Sequence, residues 1–184
     1  MNNKQSIFAT LSDSDTSDDD SITLNELNDT WILWAHMPHD TDWTIKSYKK
    51  IFSFNTIEEA IGITKILPDH MIQNCMLFLM RDGILPTWED KHNRNGGCFS
   101  YKISNNFVPE TWRNLTYTIA GETLFKSIKT CKDITGISVS PKKNFCVFKI
   151  WLSTCKHKSP SVISTVEPGL THHGCIFKRN NPDY

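Results

Sequence analysis

From Thr30 onward the chain consists of short runs rich in aromatic and β-branched residues, each closed by turn residues, and this texture commits it to a hairpin-linked sheet. Residues 30–37 (TWILWAHM) read as a first strand and residues 48–54 as a second. Residues 56–67 then switch to helical spacing. Thr56 and Glu59 form a T-x-x-E capping box, Ile57, Ala60, Ile61 and Thr64 share one face, and Pro68 ends the run. Strands follow at 75–81, closed by Asp82-Gly83, and at 98–103, entered through Asn95-Gly96-Gly97. Pro109 opens a second helix whose apolar stripe (Trp112, Leu115, Ile119, then Leu124 or Phe125) runs to about residue 130. Two more strands at 134–140 and 145–152, a short helix from Ser159-Pro160 and a last strand at 174–179 complete the reading. The expected class is α+β: a mainly antiparallel sheet with helices packed on one face.

Charge divides the chain. Residues 1–29 hold one Lys and seven acids, net −6, against 19 basic and 13 acidic residues in the remainder, net +6. The run 12–21 (SDSDTSDDDS) has no apolar residue to offset the entropy of ordering, so residues 1–27 read as a disordered acidic arm ahead of a domain at 28–184. The arm serves as a solubilising tail or as a substrate for an acid-directed kinase. A mildly basic body fits an anionic partner of limited size, such as a nucleotide, better than a long nucleic acid. No apolar run approaches the roughly 20 residues that span a bilayer, and no secretory leader is evident, so a cytoplasmic location is expected.

The six cysteines form no CxxC pair and read as reduced thiols. Cys155, His157, His172, His173 and Cys175 lie within about twenty residues of one another but lack the usual zinc spacings, so neither a metal nor another cofactor is expected. No nucleophile elbow, phosphate-binding loop or metalloprotease motif is present, and the chain reads as a binder rather than an enzyme.

Six tryptophans could all be core. Two are placed otherwise: Trp43 in MPHDTDWT and Trp88 in GILPTWEDKHNRNGG lie in polar loops, where paired indoles make a slot for one flat ring, with the Glu89 carboxylate at its rim. Trp31, Trp34 and Trp112 are assigned to packing between sheet and helices.

The stretch from Trp31 to Gly97, with W-x-x-W, Trp43, the TIEEA helix start and the pattern DGI-x-P-x-WED-x-x-N-x-x-GG, resembles the eukaryotic translation initiation factor 4E family of mRNA 5′-cap-binding proteins. The likeness continues more loosely through Trp112, Gly121-Glu122 and Trp151. The resemblance implies a curved, mainly antiparallel sheet backed on its convex face by two or three helices, with a cap pocket on its concave side. Trp43 and Trp88 would sandwich 7-methylguanine, Glu89 would read its edge and Trp151 would touch the methyl group. It implies basic side chains for the phosphates, with Lys142 at a matching position and Lys143 beside it. The second family lysine falls on Val147, and Lys149 either replaces it beside Trp151, by strand alternation, or sits on a solvated face. Partners implied are capped mRNA and a scaffold of the initiation factor 4G type or a divergent equivalent, bound by a monomer.

This chain departs from the family in places. Cys98 stands where an Arg usually follows the Gly-Gly pair. Ile61 replaces the dorsal Trp, Asn25-Glu26 replace a His-Pro, and Arg113 and Tyr117 replace aliphatics on the second helix. Ile57, Ile61, Arg113 and Tyr117 are therefore the expected dorsal partner surface, fitted to a differently shaped helix. The alternative is a cap-binding competitor that does not engage the usual scaffold. Lys156, Lys158, Lys178 and Arg179 make the C-terminal end basic, either to meet the second nucleotide or following phosphates, or as solvated charge.

Overall fold

The structure is a computed structural model that describes residues 23–180, so the arm expected at 1–27 lies outside the described residues up to residue 22, whereas Glu26 and Leu27 are strand residues of the domain, Leu27 packing against its core. Seven strands, β1 (Glu26–His36), β2 (Tyr48–Thr56), β3 (Met76–Arg81), β4 (Gly97–Ser104), β5 (Ile134–Pro141), β6 (Phe145–Leu152) and β7 (Ile176–Arg179), form one curved sheet. Their order is β2-β1-β3-β5-β6-β4-β7, and every neighbouring pair is antiparallel. The α+β class read from the sequence is the one found.

Helices α1 (Ile57–Ile66), α2 (Asp69–Asn74), α3 (Val108–Ala120) and the single turn α4 (Ile128–Cys131) join the sheet. Thr56 Oγ1 accepts the Glu59 N–H at 3.2 Å, and the Glu59 carboxylate accepts from the Asn55 N–H at 3.0 Å, so the capping box starts α1 where the pattern places it. Two-residue alternation sends Trp31, Leu33, Leu77, Leu79, Phe148 and Ile150 to one face, where Ala60, Trp112, Leu115 and Ile119 of the helices cover them. The opposite face carries a smaller cluster of Phe78, Met80 and Trp151, with Trp34, Tyr48 and Trp88 against it.

Three expectations are corrected. Trp34 does not pack between sheet and helices. It lies three residues from Trp31 in a strand of period two and therefore points to the other face, beside Phe78 and Trp151. The second helix stops at Ala120 rather than near residue 130. Glu122 adopts φ +53°, its carboxylate accepting from Asn28 Nδ2 at 2.8 Å and lying 3.5 Å from the Arg81 guanidinium, and Leu124 and Phe125 reach the core from the loop beyond. Finally, Pro68 ends α1 but also sits at the entrance of the unexpected α2.

Candidate functional site

The loop at residues 82–96 is built around two side chains. The Asp90 carboxylate accepts from the backbone N–H groups of His92 (2.8 Å) and Leu85 (3.1 Å) and meets the His92 ring at 3.0 Å. Burial alone would raise the Asp90 pKa, but these donors outweigh it and hold the carboxyl below its ordinary value. Asn93, wholly buried, donates from Nδ2 to the carbonyls of Leu85 (3.1 Å) and Thr87 (2.8 Å). At the loop's exit a Cβ on Gly96 would sit 1.7 Å from the Leu152 carbonyl oxygen, so only glycine allows the chain to pass there. Trp88, carried on this frame, is half-buried against the cluster of Phe78, Met80 and Trp151.

Trp43 sits in a different kind of loop. Asp42 accepts from the N–H (2.8 Å) and hydroxyl (3.0 Å) of Thr44, which lowers its pKa, and Asp40 accepts from the Asp42 N–H at 2.9 Å. The Trp43 indole is 58% exposed, and one of its faces stacks on the buried His36 imidazole at 4.4 Å and 4°. His36 Nε2 lies 2.9 Å from the Asp42 carbonyl, which can only accept, so Nε2 carries the proton.

Both indoles line one cavity of about 240 Å³, together with Tyr48, Met76, Phe78, Pro86, Thr87, Glu89, Ser138, Ser140, Lys149 and Trp151. An aromatic chain runs beneath it from Trp43 through His36, Tyr48 and Phe78 to Trp151, with successive centroids 4.4, 5.1, 5.4 and 6.5 Å apart. Trp151 donates from Nε1 to Ser138 Oγ at 2.9 Å, which fixes its ring. Lys149 Nζ stands 5.8 Å from that ring's centroid, on the same face. Glu89 is exposed and accepts no hydrogen bond within the described residues. Burial first, and the nearby Glu89 charge second, push the Tyr48 phenol upward.

The structure thus brings Trp43, Trp88, Glu89, Trp151 and Lys149 together. Lys142 lines an adjoining cavity, whereas Lys143, exposed in the β5–β6 turn, lines neither. Sequence reasoning missed His36, Tyr48, Phe78, Ser138 and Ser140. Strand parity counted from Trp151 was the available signal for Ser138 and Ser140.

On the helical side, Leu27, Ile57, Ala60, Ile61, Tyr117, Ala120 and Gly121 line an apolar groove of about 390 Å³. The Tyr117 hydroxyl is 2.6 Å from Thr64 Oγ1. Arg113 is not part of this groove, because its guanidinium is taken up by the Thr64 carbonyl (3.2 Å) and the Asp69 carboxylate. Asn25 is bound to Glu58 at the start of α1 (2.7 and 3.1 Å). The C-terminal Cys and His side chains point to separate partners: Cys155 to the Gly96 carbonyl, His157 to Asp133 and His172 to the Ile163 carbonyl. Among the described residues no three potential metal ligands cluster, all six cysteines are unpaired, and no helix is long and apolar enough to cross a membrane.

Residues 26–170 match the family model described as eukaryotic initiation factor 4E. The chain is 29% identical over 150 residues to eukaryotic translation initiation factor 4E-1 of Schizosaccharomyces pombe, covering 76% of this chain and 67% of that protein. It is 31% identical over 145 residues to factor 4E-2 of the same yeast, covering 74% and 57%. It is 28% identical over 144 residues to the eukaryotic translation initiation factor 4E homolog of Acanthamoeba polyphaga mimivirus, covering 67% and 53%. The matches therefore span between about half and two thirds of these relatives' length. Among solved structures, Schistosome eIF4E complexed with m7GpppG and 4E-BP superposes with a TM-score of 0.66 at 20% identity, covering 73% of this chain and 75% of that one. Ascaris suum eIF4E-3 with the m2,2,7G cap superposes at 0.65 and 20%, covering 73% and 77%. At these identities the two superpositions concern the fold.

Proposed function

Because the chain belongs to the eukaryotic initiation factor 4E family, we propose that it binds the 7-methylguanosine 5′ cap of mRNA and brings capped message to translation initiation. The observation that carries this reading is a single cavity lined by two loop-borne indoles, a free carboxylate and a floor tryptophan. Methylation at N7 gives guanine a delocalised positive charge, so each indole face adds about 0.5–2 kcal/mol of cation–π attraction to ordinary stacking. The ring's N1–H and N2–H₂ are parallel donors that match the two acceptor oxygens of ionised Glu89, and that charge complements the methylated ring. Trp151 closes the slot from below, and Lys149 and Lys142 meet the phosphates, while Lys143 lies outside both cavities.

The protein acts as a binding module, its cavity offering aromatic faces and one carboxylate to a cationic ring. It works as a monomer in the cytoplasm, where initiation takes place, and its cap-binding domain takes in Glu26 and Leu27 of β1 together with residues from 28 onward. Its dorsal groove, with Ile57, Ile61 and Tyr117 on a mainly apolar surface, is suited to the apolar face of a scaffold helix of the initiation factor 4G type or an equivalent. That surface favours recruitment over the competitor role.

Tryptophan fluorescence tests the base assignment. 7-Methyl-GTP is expected to quench strongly and GTP at least tenfold more weakly; equal quenching by the two would overturn the reading.

A further inference from the structure

On the cavity face one register row crosses four strands. Gly136 of β5 stands opposite Trp151 of β6, Trp151 opposite Cys98 of β4, and Cys98 opposite Lys178 of β7. The next row on that face reads Ser138, Lys149, Ser100 and Ile176. Residues in register on neighbouring strands share a face at a strand spacing of about 4.8 Å, so Trp151 and Lys178 flank Cys98 roughly 10 Å apart. The side chains between them are short. Cys98, Ser100 and Ser140 leave a trough of about 570 Å³ that shares Met76, Trp88, Ser140, Lys149 and Trp151 with the base cavity.

The charged lining of this trough is Lys142, Lys149, Lys178 and Arg179, with no carboxylate. None of the four is ion-paired among the described residues, where the bridges involve Arg81, His92, Arg113 and His157 instead. Four uncompensated cations around one concavity repel one another until an anion enters, and the matching ligand is a chain of several phosphates. β7 is held in place for this role: the Asn180 N–H donates to the Gly96 carbonyl and its Nδ2 to the Asn93 carbonyl, both at 3.0 Å.

We propose that Lys178, with Arg179 beside it, grips the phosphate chain of the ligand whose base enters the Trp43–Trp88 slot, supplying from β7 the counter-charge that Cys98 does not supply from β4. The inference rests on the cap reading and names a residue set that the sequence left undecided between ligand contact and solvated charge. The triphosphate leaves the base slot over Cys98 and Ser100 and lies between Lys149 and Lys178. Lysine acts here as a mobile point charge, so Lys178→Arg retains the grip and Lys178→Ala loses it.

Calorimetric titration of the whole chain tests this with 7-methyl-GMP, 7-methyl-GTP and inorganic tripolyphosphate, on the wild type, Lys178→Ala and, as control, Lys158→Ala, whose exposed side chain lines neither cavity. Lys178→Ala is expected to weaken 7-methyl-GTP and tripolyphosphate about five- to twentyfold, to leave 7-methyl-GMP within about twofold, and to reduce the salt slope of triphosphate binding by about one. An unchanged triphosphate affinity, or an equal loss in Lys158→Ala, overturns the inference. Failure of both methylated nucleotides to bind the wild type would instead sink the cap reading. In that event tripolyphosphate decides the trough alone: binding lost in Lys178→Ala supports it, and binding unaltered by the change, or absent from the wild type, refutes it.

Discussion

The two loops that deliver the indoles are held by different means. Around Trp88 the loop is knit about a covered centre: Asn93 is wholly enclosed and joins Leu85 to Thr87, the Asp90 side chain is largely covered, and Asn180 ties the terminal strand to Asn93. Around Trp43 the hydrogen bonds are exposed and local, from Asp42 to Thr44 and from Asp40 to Asp42, and the indole's main support is the stacked His36. Buried polar networks cost more to disturb than exposed ones, so the slot has one fixed wall and one that adjusts to the ring it receives.

The largest expected effect separates the walls directly. Trp88→Ala removes the fixed plane and should weaken 7-methyl-GTP by about a hundredfold, roughly 3 kcal/mol of stacking and cation–π attraction. Trp43→Ala should cost only about tenfold, because the change bares the His36 imidazole as a second stacking surface. Equal losses in fluorescence titrations would erase the distinction. Next comes Asn93→Ala, which empties a wholly buried site and leaves the Leu85 and Thr87 carbonyls without their donor, and should lower unfolding stability by about 2–3 kcal/mol in urea. Asp42→Ala in the exposed loop should leave the denaturation midpoint unchanged within error. Hydrogen exchange at residues 84–95 should rise in the first variant only.

The smallest effect is one of pH. The Asp90 pKa is held below its unfolded value of about 3.9. The stability it contributes is therefore complete above that value and is lost as pH falls through the lower folded pKa. Acid titration followed by exchange of the Leu85 and His92 amides should show their protection fading in this window, and Asp90→Asn should flatten the response.

Much of this was legible in the sequence for local reasons. Asp82-Gly83 and Asn95-Gly96-Gly97 announce turns, Thr56-x-x-Glu59 announces a helix start, and indoles in polar loops announce a surface slot. Lys149 follows from strand parity, since Val147, Lys149 and Trp151 alternate with the core residues Phe148 and Ile150. What could not be read depends on partners distant in sequence. The apolar stripe of α3 continues to Phe125 although the helix does not, because Asn28 and Arg81 claim Glu122. Tyr48 and Phe78 look like core until the helices are known to cover the other face. Arg113 looked available until Asp69 of the unexpected α2 engaged it. The place of Lys178 exists only through the pairing of β7 with β4, which no local pattern specifies.

Asn180 gives the molecule one property that neither loop has by itself. Its backbone and side chain fasten the terminal strand to the same segment that carries Trp88, through Gly96 and Asn93. A ligand's head and tail are then sensed by parts sharing a single strut. Their binding free energies will not simply add, and an Asn180→Ala chain should read base and tail as independent fragments.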